Sequence, residues 1–254
     1  MTRVALHLAR GVAIAAFIFP FLGESRRTGQ VRRWSAQLLR ILAVDLETEG
    51  MSIADGPMLL VANHVSWLDP FLINAVRPVR FVAKSEVAHW PVIGWLAKRV
   101  GTLFVVRSRR HHTAQVNQHV VAALRDGAVF AVFPEGTTTD GSIVLPFHAS
   151  LLQPALESGS LLVPAALRYL RDDGSLCIEA AYDGDKSVFD TLLAMTTLPR
   201  IHARIKFLPP LPLTNRPHRR ELALAAQQAI TSALHPAAAS MHTETTADPR
   251  AAMR

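Results

Sequence analysis

A histidine followed five residues later by an aspartate, His64 and Asp69 in ANHVSWLDP, is a pair able to move a proton. An imidazole titrates near neutrality and can take a proton from a hydroxyl, while a carboxylate on its other nitrogen fixes the tautomer and stabilises the imidazolium. Chance alone supplies about half of one such spacing in a chain of this composition, so the pair acquires meaning only from its company. Taken by itself, the pair reads better as structural, with Asp69 an acceptor in a helix-starting turn. The company is FPEGTTTDG, residues 133–141. Pro134 and Gly136 force a defined turn there, carrying Glu135, backbone N–H groups and the hydroxyls of Thr137 and Thr138, a loop able to grip polar headgroup atoms. From this composition FPEGT arises by chance on the order of once in ten thousand such chains, although turns carry carboxylates for structural reasons too. A third segment, GTLFVVR, ends on Arg107, whose fork suits a phosphate or carboxylate. Arg109, Arg110, His111 and His112 come just after it, and the group reads as either a solvated face or a lipid-headgroup contact.

These residues need rigid elements behind them, and the hydrophobic pattern provides them. Short apolar runs at 58–63 (MLLVAN), 79–84 (VRFVAK), 102–106 (TLFVV) and 128–133 (AVFAVF) alternate with helical segments. That alternation predicts an α/β domain with a mostly parallel sheet flanked by helices, and it sets both His64 and Glu135 at strand ends, where sheet enzymes expose reactive groups. A helix is expected over 151–157, then strands in SLLVPAALRYL, SLCIEAAY and RIKFLP, and a helix over 216–234. Residues 235–254, rich in Ala, Thr and Pro, read as a disordered tail. There is no internal repeat.

The chain has 254 residues, half of them hydrophobic and 19% charged, enough for one catalytic core with an appendage. A single cysteine, Cys177, excludes an internal disulfide and a cysteine-rich metal cage. The net charge of +7 calls for an anionic partner. Its location points to a membrane: seven arginines stand in the first 40 residues against one acid, Glu24, flanking an apolar run at 12–22. That run is too short to span a bilayer alone, with His7 and Arg10 limiting its extension, so it is expected to dip in or lie flat. From Val31 a basic amphipathic helix is expected, or an ordinary helix packed on the core. The arginines at 26, 27, 32 and 33 favour a cytoplasmic position for the rest of the chain. The organisation expected is therefore membrane-associating helices over 1–43, a catalytic domain over 44–234 and the tail.

Taken together these residues are similar to the lysophosphatidate acyltransferase family, within the glycerolipid acyltransferase superfamily. NHVSWLD resembles its Asn-His-x4-Asp motif, GTLFVVR its second block, FPEGT its third, and LLVPAAL with Pro164 its fourth, in order over residues 58–167. Lys84 in FVAKSE and the segment WPVIGWLAKRVG also resemble it. The resemblance implies acyl transfer from acyl-CoA or acyl carrier protein to the hydroxyl of a lysophospholipid, with no acyl-enzyme, no cofactor and no metal. It implies His64 as general base, Asp69 as its partner, and Arg107, Glu135, Gly136, Thr137 and Lys84 as substrate-binding residues. It places the enzyme at a bacterial inner membrane, catalytic domain on the cytoplasmic face. Two departures from the family matter: Thr138 stands where an arginine often follows FPEGT, and His148, Ala149 and Ser150 where a Lys-Arg-Gly-like element is common. Lyso-ornithine lipid, a zwitterionic acceptor, is therefore the alternative to lysophosphatidate.

Two other classes fit less. A basic peripheral-membrane or nucleic-acid binding module would explain the charge, but aromatics are not interleaved with the basic residues and no nucleic-acid motif is present. A lipid esterase would need the G-x-S-x-G elbow, which is absent.

Overall fold

The structure is a computed structural model that describes residues 1–51, 56–106, 110–213 and 217–235. Arg107, and all of the expected tail except His235, lie outside the described residues.

The chain begins with helix α1 (Thr2–Ala13), which continues through a π turn (Ile14–Ile18) and a 3-10 turn (Phe19–Phe21). It folds back as α2 (Glu24–Ile41), then alternates through β1 (Val44–Gly50), β2 (Met58–Ala62), α3 (Asp69–Val76), β3 (Arg80–Lys84), α4 (Ile93–Arg99), β4 (Leu103–Val105), α5 (Arg110–Arg125) and β5 (Val129–Val132). The remainder is α6 (Gln153–Ser158), β6 (Leu161–Leu170), α7 (Val188–Met195), β7 (Ile201–Phe207) and α8 (Arg219–Leu234). Among the described residues one seven-stranded sheet results, in the order β1-β7-β6-β2-β5-β3-β4. The pairs β6–β2, β2–β5, β5–β3, β3–β4 and β1–β7 are parallel, and β6–β7 is antiparallel.

Strands β2 and β5 are apolar throughout because both faces are covered. Leu59 and Val61 of β2 point into one cluster with Val116, Val120 and Leu124 of α5, Ala155 of α6 and Ala226 of α8. Met58, Leu60 and Ala62 point the other way, beside Ile73 of α3. Each such aliphatic side chain stabilises the fold by about 1.5–3 kcal/mol through burial, so β2 is a firmly seated strand on which to carry a reactive loop.

Two expectations change. The segment SLCIEAAY forms no strand: only an isolated bridge, Leu170 to Leu176, comes after the turn at Gly174, and the chain turns again at residues 178–180. The apolar N-terminal run is longer than expected, a helical rod over Thr2–Phe21 of 20 residues, long and apolar enough to cross a membrane. His7 does not interrupt it, since its ring stacks on Trp34 at 4.5 Å and its Nε2 donates to the Trp34 carbonyl at 3.0 Å. Gly11 permits that approach, for a Cβ there would stand 2.6 Å from the Trp34 indole nitrogen. Of the two readings of the helix after Val31, packing on the core is present in α2: Leu38, Leu39 and Leu42 share a cluster with Val44, Leu68 and Leu72.

Candidate active site

Strand β2 lies between β5 and β6, and the parallel register of Val61 with Val132 carries the residues after each strand to the same end of the sheet. His64 and Glu135 meet there. Just before His64, the side chain of Asn63 donates to the Leu167 carbonyl at 3.0 Å and accepts from the Leu167 N–H at 2.7 Å. It thereby prolongs the β2–β6 ladder by one rung while freeing the backbone to turn.

The loop 64–68 wraps around the Asp69 carboxylate, which is fully buried. Asp69 Oδ2 accepts from His64 Nδ1 at 2.7 Å, from the Val65 N–H at 2.8 Å and from the Ser66 N–H at 3.0 Å. Oδ1 accepts from the Tyr169 hydroxyl at 2.6 Å. Four donors satisfy the buried carboxylate, which without partners would be far more costly to remove from water. Asp69 thus serves both readings of the sequence, turn acceptor and histidine partner. With Nδ1–H given to Asp69, the lone pair of His64 sits on Nε2, the nitrogen a general base uses. The His64 side chain is 22% exposed. Its ring stacks on Phe133 at 4.1 Å, and Phe133 in turn stacks on Phe81 at 5.9 Å, a backing that fixes the plane of the imidazole.

Glu135 is buried and turned inward. Its Oε1 accepts from the His64 N–H at 2.7 Å and its Oε2 from the Leu145 N–H at 2.8 Å. The carboxylate therefore ties the histidine loop to the loop after β5, with both oxygens occupied by protein rather than offered to a headgroup. Burial pushes its carboxyl above the usual carboxylate range, and the two N–H donors pull it back. Gly136 adopts a φ of 80°, which the turn requires and a side chain would strain. Thr137 is exposed, Thr138 donates to the Tyr182 carbonyl, and the Thr139 N–H binds the His64 carbonyl at 2.9 Å. Lys84 is exposed at the end of β3, two strands from β2 on the same side as β5. The structure brings His64, Asp69, Glu135, Gly136 and Thr137 together around one turn.

Glu135→Gln should lower the melting temperature by roughly 2–8 °C, because an amide can accept only one of the two N–H groups and leaves the other facing an NH2, a loss of about 1–2 kcal/mol. Thermal unfolding measured by circular dichroism checks it; an unchanged midpoint would remove the carboxylate from its bridging role.

Sequence reasoning missed Tyr169 and the Phe133 stack. Tyr169 had a visible signal, a lone phenol that with Arg168 interrupts the apolar run of LLVPAALRYL. Phe133 had none.

A family model described as Acyltransferase matches residues 43–168. A lyso-ornithine lipid O-acyltransferase from Pseudomonas aeruginosa is 39% identical over 212 residues, covering 84% of this chain and 81% of that one. A 1-acyl-sn-glycerol-3-phosphate acyltransferase from Neisseria meningitidis is 35% identical over 151 residues, 59% of each chain. The fold is similar to the crystal structure of the 1-acyl-sn-glycerophosphate acyltransferase from Thermotoga maritima, with a TM-score of 0.67 at 18% identity, over 92% of this chain and 95% of that one.

Proposed function

Because the chain belongs to the glycerolipid acyltransferase family, we propose that it acylates the free hydroxyl of a lysolipid from an acyl thioester, using His64 as general base. The observation that carries this reading is the 2.7 Å contact of His64 Nδ1 with a buried, fourfold-bonded Asp69. Nε2 takes the hydroxyl proton as the oxygen attacks the thioester carbonyl. The tetrahedral oxyanion collapses, the carbon–sulfur bond breaks, and the imidazolium returns its proton to the leaving thiolate. Ester and thiol are the products. Asp69 stabilises the transient imidazolium without itself taking the proton. Thr137, Arg107 and Lys84 bind substrate oxygens, and Glu135 and Gly136 hold the loop that places them.

The acceptor is 1-acyl-sn-glycerol-3-phosphate, giving phosphatidate, and the donor is acyl-CoA or acyl carrier protein. One set of observations favours lyso-ornithine lipid as a second reading. Thr138 and the 148–150 segment supply no arginine or lysine, Lys186 near Asp140 is paired with Asp183 at 2.6 Å, and the Pseudomonas relative is similar over most of the chain. The deciding experiment gives purified enzyme in liposomes one labelled thioester and either lysolipid. Labelled phosphatidate supports the first reading, labelled ornithine lipid the second, and the absence of both products overturns the acyltransferase assignment.

The enzyme works at a bacterial inner membrane from the cytoplasmic face, held by α1 and the arginines around it. Phe17 and Phe21 are 75% and 86% exposed on the rod, so they bear little on the fold. The paired substitution Phe17→Ser, Phe21→Ser should move a large share of the protein from floating liposomes to the soluble fraction, since each exchange gives up about 1.5–3 kcal/mol of apolar burial in lipid. Flotation equal to that of the unaltered chain would place the anchor elsewhere.

A further inference from the structure

We propose that Tyr169 is a positioning residue of the acyl-transfer site, setting through its hydroxyl both the plane and the effective charge of Asp69. The inference rests on the proposed role of His64 as base and goes beyond it, since Tyr169 touches neither the histidine base nor substrate.

Three features carry it. Tyr169 sits on β6, among the largest fully buried side chains, where a phenylalanine would satisfy packing alone. Its hydroxyl is nonetheless kept, and donates to Asp69 Oδ1 at 2.6 Å, the oxygen that His64 does not use. Asn63 fixes the approach, because its two hydrogen bonds with Leu167 lock β6 to the root of the histidine loop two residues from Tyr169. The phenol therefore reaches the carboxylate from a rigid strand while the histidine reaches it from a loop. Burial and the adjacent Asp69 charge both push the phenol well above its ordinary range, so it remains a donor throughout the working pH range.

A donor on Oδ1 draws negative charge away from Oδ2. With the hydroxyl gone, Oδ2 becomes the stronger acceptor and holds the imidazolium more tightly, so the base takes up a proton at higher pH. The titratable groups facing this pair are Glu135 from the loop after β5 and Cys177 beyond β6, and neither substitution below alters them.

Tyr169→Phe should move the acid limb of the kcat/KM profile upward by about half a unit to one unit, the size expected for loss of one charge-assisted bond partly shared with solvent-screened neighbours. The acceptor KM should stay within about twofold. A purely packing role would lower the melting temperature and leave the limb in place, and that outcome, or a limb moving down, overturns the proposal. Should Tyr169→Phe fail to fold, fluorotyrosine tests the same point at constant shape. The chain has only two tyrosines, so biosynthetic replacement in a Tyr182→Phe background labels Tyr169 alone. The more acidic phenol, a stronger donor, should move the limb down relative to that background, and no movement overturns the idea. His64→Ala, assayed in parallel, separates failures: if it remains active the base itself is wrongly assigned, whereas an inactive His64→Ala beside an unmoved limb rejects Tyr169 only.

Discussion

His64→Ala should lower kcat by at least about a hundredfold, and up to about ten-thousandfold, while the protein stays folded. The asymmetry arises from what the imidazole touches. Removing it leaves Asp69 with the Val65 and Ser66 N–H groups and the Tyr169 hydroxyl, so no buried charge is stranded. The stabilising contributions lost are the stack on Phe133 and one hydrogen bond of a partly exposed ring, together about 1–3 kcal/mol, which corresponds to a fall of several degrees in melting temperature. Single-turnover kinetics with labelled thioester, beside a thermal scan, reads both quantities. Turnover within tenfold of the unaltered enzyme would exclude His64 as the base.

Replacement of the carboxylate has the opposite balance. In Asp69→Asn the Val65 and Ser66 N–H groups require the amide oxygen at the place of Oδ2, which turns the NH2 toward the Tyr169 hydroxyl. His64 keeps an acceptor and hence its tautomer, but the negative charge that stabilises its imidazolium is gone. A charge pair at this separation is worth a few kcal/mol at the effective dielectric of a protein site, so kcat should fall by about a hundred- to a thousandfold. Asp69→Ala should go further and unsettle the fold. The Val65 and Ser66 N–H groups would then have no acceptor and the fully buried phenol would lose its carboxylate partner, at about 1–3 kcal/mol each, and the melting temperature should fall by about ten degrees or more. Near-normal activity in the asparagine variant would show that the histidine works without an anionic partner, and a stable alanine variant would show that the loop does not depend on the carboxylate.

The sequence carried the strands that position the site because apolar runs buried on both faces are hard to mistake, and β2, β5 and β6 stand where their runs predicted. It did not carry β1. VDLETEG alternates apolar and acidic residues, reads as neither core nor helix, and becomes a strand only by pairing with β7. SLCIEAAY misled in the other direction, because its apolar residues cover the end of β6 instead of entering the sheet. At the site, the types and order of His64, Asp69 and Glu135 were legible, whereas their directions were not. Whether Glu135 faces a headgroup or two backbone N–H groups depends on the register of β2 with β5, a property of two segments about seventy residues apart that no local pattern encodes.

The edge strand has a consequence for how the protein is made. Val44 pairs with Ile201, so during synthesis β1 leaves the ribosome roughly ten to thirty seconds before its partner exists. Throughout that interval α1 and α2 are already complete, while β1 is an open strand with its pairing edge unsatisfied. Its outward residues Asp45, Glu47 and Glu49 make it a poor template for a wrong neighbour. The same acids select the right one, since Asp45 closes on Arg200 at 2.9 Å and Glu47 on Arg204 at 2.7 Å once β7 arrives.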